Sequence, residues 1–417
     1  MSSWPGGRRA ADQRLAAIDP ARYGASRNHL DGAVTGLSPY IRHGVLTLAE
    51  VRDAVFTRLA RLETASQRRR AGERLIAELG WRDYWQRLGR QLGEGIWHDR
   101  EPLRTGHDPA TYAPALPADL AAAATGLACI DAFAGELLQT GWLHNHARMW
   151  LAAYVVHWRR VRWQAGARWF LQHLLDGDPA SNNLSWQWVA SSFSQKPYIF
   201  NRGNLERYGA GRHCTTCPLN RRGCPFEASY EQLQQRLFRP VVPGEPAGAA
   251  PPPSRSGVPA SAPAATPTPS RPLVWVHAEA LGPANPALRA HPGARAVFVA
   301  SGDPPGTGGG VPLAEGRRRF LRDCLAELPV DVMEGEEVPV LRQAAAAAGA
   351  DGIVTSRAVD PRVEAIAREL AATLPVQVLD PEPFVDLPEG GPGSPDLRRF
   401  SRYWRRAEAL VWAQAGC

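Results

Sequence analysis

Between residues 10 and 238 apolar positions recur three and four apart, and nothing there alternates as a half-buried strand would. Thr47-Leu48-Ala49-Glu50 has the form of a capping box, in which each side chain satisfies a free backbone N–H of the other residue. Val51, Val55, Leu59 and Leu62 follow it at helical spacing. A second apolar run, with Ile130, Phe133, Leu137, Leu138 and Trp142 on one face, predicts helix from Cys129 to about Trp158. Residues 10–238 thus read as an all-helical domain.

Residues 239–272 are rich in Pro, Ala, Ser and Gly and predict a disordered linker. Beyond it the period changes. Short apolar runs at Leu273–Val276, Ala296–Ala300, Val330–Met333, Gly352–Thr355 and Val376–Leu379 alternate with helical stretches such as Val338–Ala348 and Pro361–Leu374. That alternation predicts a Rossmann-like α/β domain over 273–395, with a doubly wound parallel sheet. A C-terminal amphipathic helix falls within 396–417. The loop Gly306–Gly310 is glycine-rich but lacks the dinucleotide fingerprint.

At 417 residues the chain has room for two such domains. It contains no run of 18 apolar residues, so no transmembrane helix is expected. The residues after Met1 carry no apolar signal core, and the expected location is cytoplasmic. Residues 1–239 hold 31 Lys+Arg against 21 Asp+Glu, so the polyanion-facing surface is expected in that half. Lys196 is the only lysine, so an arginine-rich composition accounts for part of that charge. Eleven of the 14 tryptophans lie in residues 1–188, enough for a helical core and also for stacking or electron transfer.

The chemistry concentrates in Gly141–Trp150 (GWLHNHARMW) and Leu174–Trp188 (LLDGDPASNNLSWQW). Taken alone, Asp176, Asp178 and the two asparagines after them suit a helix N-terminus with Asx turns. Together with Thr35–Thr47 (TGLSPYIRHGVLT) and Ala77–Leu88 (AELGWRDYWQRL), these segments resemble the flavin-binding domain of the photolyase/cryptochrome family. The resemblance implies FAD. It places Tyr23, Thr35, Leu37 and Ser38 along the phosphate and ribityl part, and an Arg148–Asp176 pair beside the isoalloxazine. It also places Gly177 and the ring acceptor Asp178 in the next turn, and Asn182 near the flavin N5. Val274–Leu288 and Phe400–Trp412 resemble the opening of the family's antenna-type α/β domain and the segment that follows it, so the domain order here is permuted. An antenna chromophore is of unknown identity.

Cys214-x2-Cys217-x6-Cys224, with a remote fourth thiol at Cys129, can bind iron–sulfur or zinc. The layout resembles that of bacterial photolyases with a [4Fe–4S] cluster, which carry one cysteine ahead of this helix and three after a KPY…GN segment, here Lys196–Asn204.

By the same resemblance Glu78 and Asn145 are the acid and amide that contact a flipped-out DNA lesion, Trp81 and Met149 its apolar walls, and Arg82 a phosphate contact. A buried, protonated Glu78 would stabilise a lesion radical anion. Trp186 and Trp163 match the first two members of a tryptophan relay to the flavin. The third position falls on Ala110, leaving Tyr112, Trp158 or the cluster as exit. The expected function is light-driven splitting of cyclobutane pyrimidine dimers in damaged DNA. The alternative is a cryptochrome-type blue-light receptor.

Overall fold

Local rules start the helices. Thr47 Oγ1 accepts the Glu50 N–H at 3.0 Å and Glu50 Oε2 accepts the Thr47 N–H at 2.8 Å, so the capping box opens the helix Leu48–Leu59 as expected. A second box, Thr64 with Gln67, opens the helix Ala65–Leu92. The run read as one helix from Cys129 to Trp158 is broken. The helix Ala128–Thr140 stops at Gly141, whose φ of 69° suits glycine. The chain restarts in Asn145–Ala153 and ends in a π-helical turn, Tyr154–Trp158. The helices Trp163–His173 and Pro179–Ala190 follow, the second capped by Asp178, which accepts the Ser181 N–H at 2.7 Å.

This computed structural model describes residues 4–220, 222–239, 268–304, 306–307, 310–390 and 392–415. The expected linker therefore lies, from 240 to 267, outside the described residues, as do positions 308 and 309 of the glycine-rich loop.

Five strands, Pro272–Val276 (β1), Ala296–Ala300 (β2), Asp331–Glu334 (β3), Gly352–Ser356 (β4) and Val376–Leu379 (β5), form one parallel sheet in the order β3-β2-β1-β4-β5. Each lies within one residue of the apolar run that predicted it. The helices Pro286–Ala290 and Glu315–Leu325 between them were not read, the second because arginines dilute its apolar stripe of Phe320, Leu321, Cys324 and Leu325. Strand residues alternate between two cores. Val274, Val276, Ala296 and Phe298 join Leu37, Tyr40 and Val45 of the helical region, whereas Leu273, Trp275, Val297 and Val299 face Leu341, Ala344 and Val363. One face of the sheet is thus covered by the helical region itself.

The helix Phe400–Ala413 leaves the sheet and packs along Ala65–Leu92. Tyr403 Oη donates to Asp83, which also accepts Arg87 Nε at 2.7 Å, and all three are buried. Tyr84 Oη donates to the Leu397 carbonyl at 2.9 Å.

Candidate flavin and lesion cavity

Within Ala65–Leu92, Glu78, Trp81, Arg82 and Trp85 fall at i, i+3, i+4 and i+7 and share a face. That face meets the start of Asn145–Ala153, which presents Asn145, Arg148 and Met149, and the turn and helix that present Asp176, Gly177, Asp178, Asn182 and Trp186. All line one cavity of about 490 Å³, inside the range of cofactor and small-molecule sites.

The charges are arranged in pairs. Arg148 Nη2 donates to Asp176 Oδ2 at 2.9 Å and its Nε to the Leu143 carbonyl at 2.8 Å. Asp178 is 1% exposed. It accepts Ser181 N–H and Oγ–H on Oδ1 and Gln86 Nε2 at 2.8 Å on Oδ2, with Arg82 Nη2 at 3.4 Å and Arg42 Nη1 at 3.8 Å. Burial alone would raise its carboxyl, but Arg82, Arg42 and these donors outweigh it and hold it at about 2. Asp178 is therefore a fixed anion at the cavity edge.

Two buried polar atoms of cavity-lining residues, Asp176 Oδ1 and Trp186 Nε1, have no hydrogen-bond partner among the described residues. Each costs about 1–3 kcal/mol if left dry. A flavin ring, which carries an N–H donor and carbonyl acceptors, has the groups such a pair lacks. Trp186 is 1% exposed, packs edge-on to Phe170 at 4.9 Å, and is seated against Gly166, where a Cβ would fall 2.2 Å from its ring.

Other residues singled out by sequence lie elsewhere. Tyr23, Thr35, Leu37 and Ser38 do not line the cavity. Leu37 is buried at the head of the short helix Ser38–Arg42, and Thr35 Oγ1 accepts the Leu37 N–H at 3.3 Å. Tyr23 reaches the cavity only through Arg27, whose guanidinium lies 5.5 Å from its ring centre. Glu78 is not a lone buried acid: its side chain is 34% exposed and ion-paired to Arg27. Arg82 turns inward to Asp178 rather than outward to solvent, because a buried carboxylate needs a cation more than the surface does. Asn145 Nδ2 lies 3.8 Å from Met149 Sδ, one turn along the same helix.

Trp163 stands away from the cavity, its indole N–H donating to Asp99. Of the exits considered, Tyr112 is buried and bonded to Thr105, and Trp158 packs on Phe200 and Phe226. The ring stacked on Trp163 is instead Trp97, which sequence reading passed over.

Cys129, Cys214, Cys217 and Cys224 line one small pocket with Leu127, Leu205 and Phe226. All described cysteines are free thiols. Burial pushes Cys129 up to about 12, and the other three thiols add to the shift. Among the described residues no group of three or more His, Cys, Asp or Glu is set to hold a metal ion.

Sequence reading missed Arg27, Gln86, Arg42, Trp188 and Phe400. Gln86 was legible as the next turn of the Glu78–Arg82 face. Phe400 stacks on Trp81 at 3.7 Å and 10° from a segment 319 positions away, which no local pattern signals. A second cavity of about 700 Å³ opens beyond the C-terminal ends of β1, β4 and β5, between Glu279, Arg357 and Asp380 on one side and Arg42, Arg87 and Arg90 on the other. No helix among the described residues is long and apolar enough to cross a membrane.

Residues 75–208 match the family profile of the FAD binding domain of DNA photolyase. The deoxyribodipyrimidine photo-lyase of Synechococcus sp. is 28% identical over 262 residues, covering 55% of this chain and 50% of that protein. That of Streptomyces griseus is 33% identical over 177 residues, covering 41% and 35%. The crystal structure of a bacterial class III photolyase from Agrobacterium tumefaciens aligns with 25% identity over 58% of this chain and 54% of that one, at a TM-score of 0.42. The chain spans about half the length, or less, of these relatives. Over residues 75–208 the chain is thus similar to the FAD binding domain of DNA photolyase.

Proposed function

We propose that this protein is a flavin-dependent, light-driven lyase of cyclobutane pyrimidine dimers in DNA. The observation that carries the reading is the convergence on one cavity of two residue sets, Arg148, Asp176, Asp178 and Asn182 for the flavin and Glu78, Trp81, Asn145 and Met149 for the lesion. When bound, reduced FAD supplies one electron to the dimer on excitation and takes it back after the ring splits. The protein's own part is positional. Arg148–Asp176 and Asp178 orient the flavin ring, and Trp81, backed by Phe400, gives a flat wall on which a flipped-out dimer stacks. Glu78 and Asn145 supply polar contacts, with Arg27 holding the Glu78 carboxylate in place.

The same reading takes 10–238 as the flavin-binding unit, 239–272 as linker, 273–395 as a Rossmann-like α/β unit following it in permuted order, and 396–417 as a helix returning to the first unit. The sheet order supports the Rossmann-like assignment, and the cavity beyond β1 and β4 lies at its topological switch point, the place for an antenna chromophore. For the four cysteines we favour a [4Fe–4S] cluster over zinc. The support is the three-plus-one spacing of the cysteines together with their common pocket.

The test is light-dependent loss of cyclobutane thymine dimers from a short oligonucleotide by reduced, flavin-loaded protein. Flavin-loaded protein that binds damaged and undamaged DNA alike and repairs neither would overturn the lyase reading.

A further inference from the structure

Trp163 opens the helix Trp163–His173 and is 2% exposed. Its indole N–H donates to Asp99 Oδ1 at 2.6 Å, short for an N–H···O bond. Asp99 has no part in flavin or lesion binding as described above. It is partly buried in the turn after Gly93–Trp97, facing Ser192 and His98, and burial raises its carboxyl above the usual range although the Trp163 and Ser192 hydrogen bonds pull the other way. It is thus a better proton acceptor than a surface aspartate.

The surroundings of the two stacked tryptophans differ in sign. Trp97 lies parallel to Trp163, with centroids 6.5 Å apart and planes 8° apart. The Arg168 guanidinium sits 4.3 Å from the centre of the Trp97 ring. A tryptophan that gives up an electron becomes a cation. Arg168 penalises that charge on Trp97, whereas the Asp99 carboxylate stabilises it on Trp163. On the inner side the Trp186 ring seats against Gly166, one turn along the helix that Trp163 opens.

We infer that Asp99 is the proton acceptor that ends the electron relay at Trp163. The inference rests on the flavin reading above. In the flavin-loaded chain light would draw one electron from Trp186, and Trp163 would refill Trp186 with one of its own. The Trp163 cation then breaks its Nε1–H bond and passes the proton to Asp99 Oδ1. The cation and carboxylate become a neutral indolyl radical and a carboxylic acid, so charge is conserved and the Coulomb attraction that would draw the electron back is gone. A thiol reductant in the medium later returns one electron to the radical, and Asp99 returns the proton.

Flash photolysis of the full-length, flavin-loaded chain in H2O and D2O tests this through the protonation state of the tryptophan radical. In the wild type the radical cation should convert to the neutral radical with a solvent isotope effect. Asp99→Asn keeps a hydrogen-bond acceptor but no base, and should lower the yield of neutral radical by about tenfold or more while flavin absorbance stays unchanged. Asp99→Glu should restore it, and Trp97→Phe should behave as wild type. Neutral radical at wild-type yield in Asp99→Asn, no isotope effect in the wild type, or loss of the radical in Trp97→Phe would each overturn the inference alone. Flavin-loaded wild type that forms no tryptophan radical at all would overturn the relay of the flavin reading with it.

Discussion

Arg317 donates to the Gly177 carbonyl at 2.7 Å from a helix 140 residues further along the chain, and it is fully buried. Arg42 Nε donates to the same carbonyl at 2.8 Å, and Arg317 also reaches the carbonyls of Leu171 and Thr307. The turn that carries Asp176 and Asp178 into the cavity is therefore braced from the α/β part.

Arg317→Met keeps much of the volume but leaves the Leu171 and Thr307 carbonyls without that donor and Gly177 with Arg42 alone, at a cost of about 2 kcal/mol or more. The loosened turn should weaken flavin binding by about tenfold. Flavin retention through gel filtration measures it, and retention equal to wild type would show that the brace is dispensable.

Asp178 gives a pH dependence of known sign. Its folded value of about 2 lies below the usual 3.8, so its contribution is fully present above pH 4 and is lost as pH falls through 2. The shift corresponds to about 2 kcal/mol. In Asp178→Asn the unfolding free energy should be lower at pH 5, and the gap to wild type should close towards pH 2. Urea titrations at both pH values check it.

Cys129→Ser should abolish iron binding and lower stability, because ligation ties the helix Ala128–Thr140 to the 214–224 segment across a long loop. Metal analysis after anaerobic purification decides between the ions: one equivalent of zinc without iron would refute the cluster.

Trp81→Ala removes the wall shared with Phe400 and should weaken binding of dimer-containing DNA by roughly 1–3 kcal/mol. Glu78→Ala should also weaken binding, because it removes a polar contact and leaves Arg27 without its partner. Loss of repair without loss of binding would instead give Glu78 a part in the reaction itself.

What was legible in the sequence was local. The Thr47–Glu50 box, the Asp178 cap, the Glu78–Trp81–Arg82 face and the five strands each depend on residues a few positions apart, where spacing alone sets geometry. The single helix read through Gly141 failed because apolar periodicity continues past a residue whose left-handed backbone stops the helix. The inward turn of Arg82, the Glu78–Arg27 pair and the displacement of Tyr23, Thr35, Leu37 and Ser38 from the cavity wall depend on which buried charge faces which, and that is decided by packing across the chain. The Trp97 stack on Trp163 was not legible because the two rings come from separate turns far apart in the chain.

The helix Phe400–Ala413 gives the chain a schedule. Tyr403 and the Asp83 it binds are 320 residues apart, and the wall behind Trp81 comes from the same helix. On a ribosome the helical half emerges first, with Trp81 and the Asp83–Arg87 pair uncovered until the sheet and this helix follow. The late segment thus closes a wall that the early segment begins.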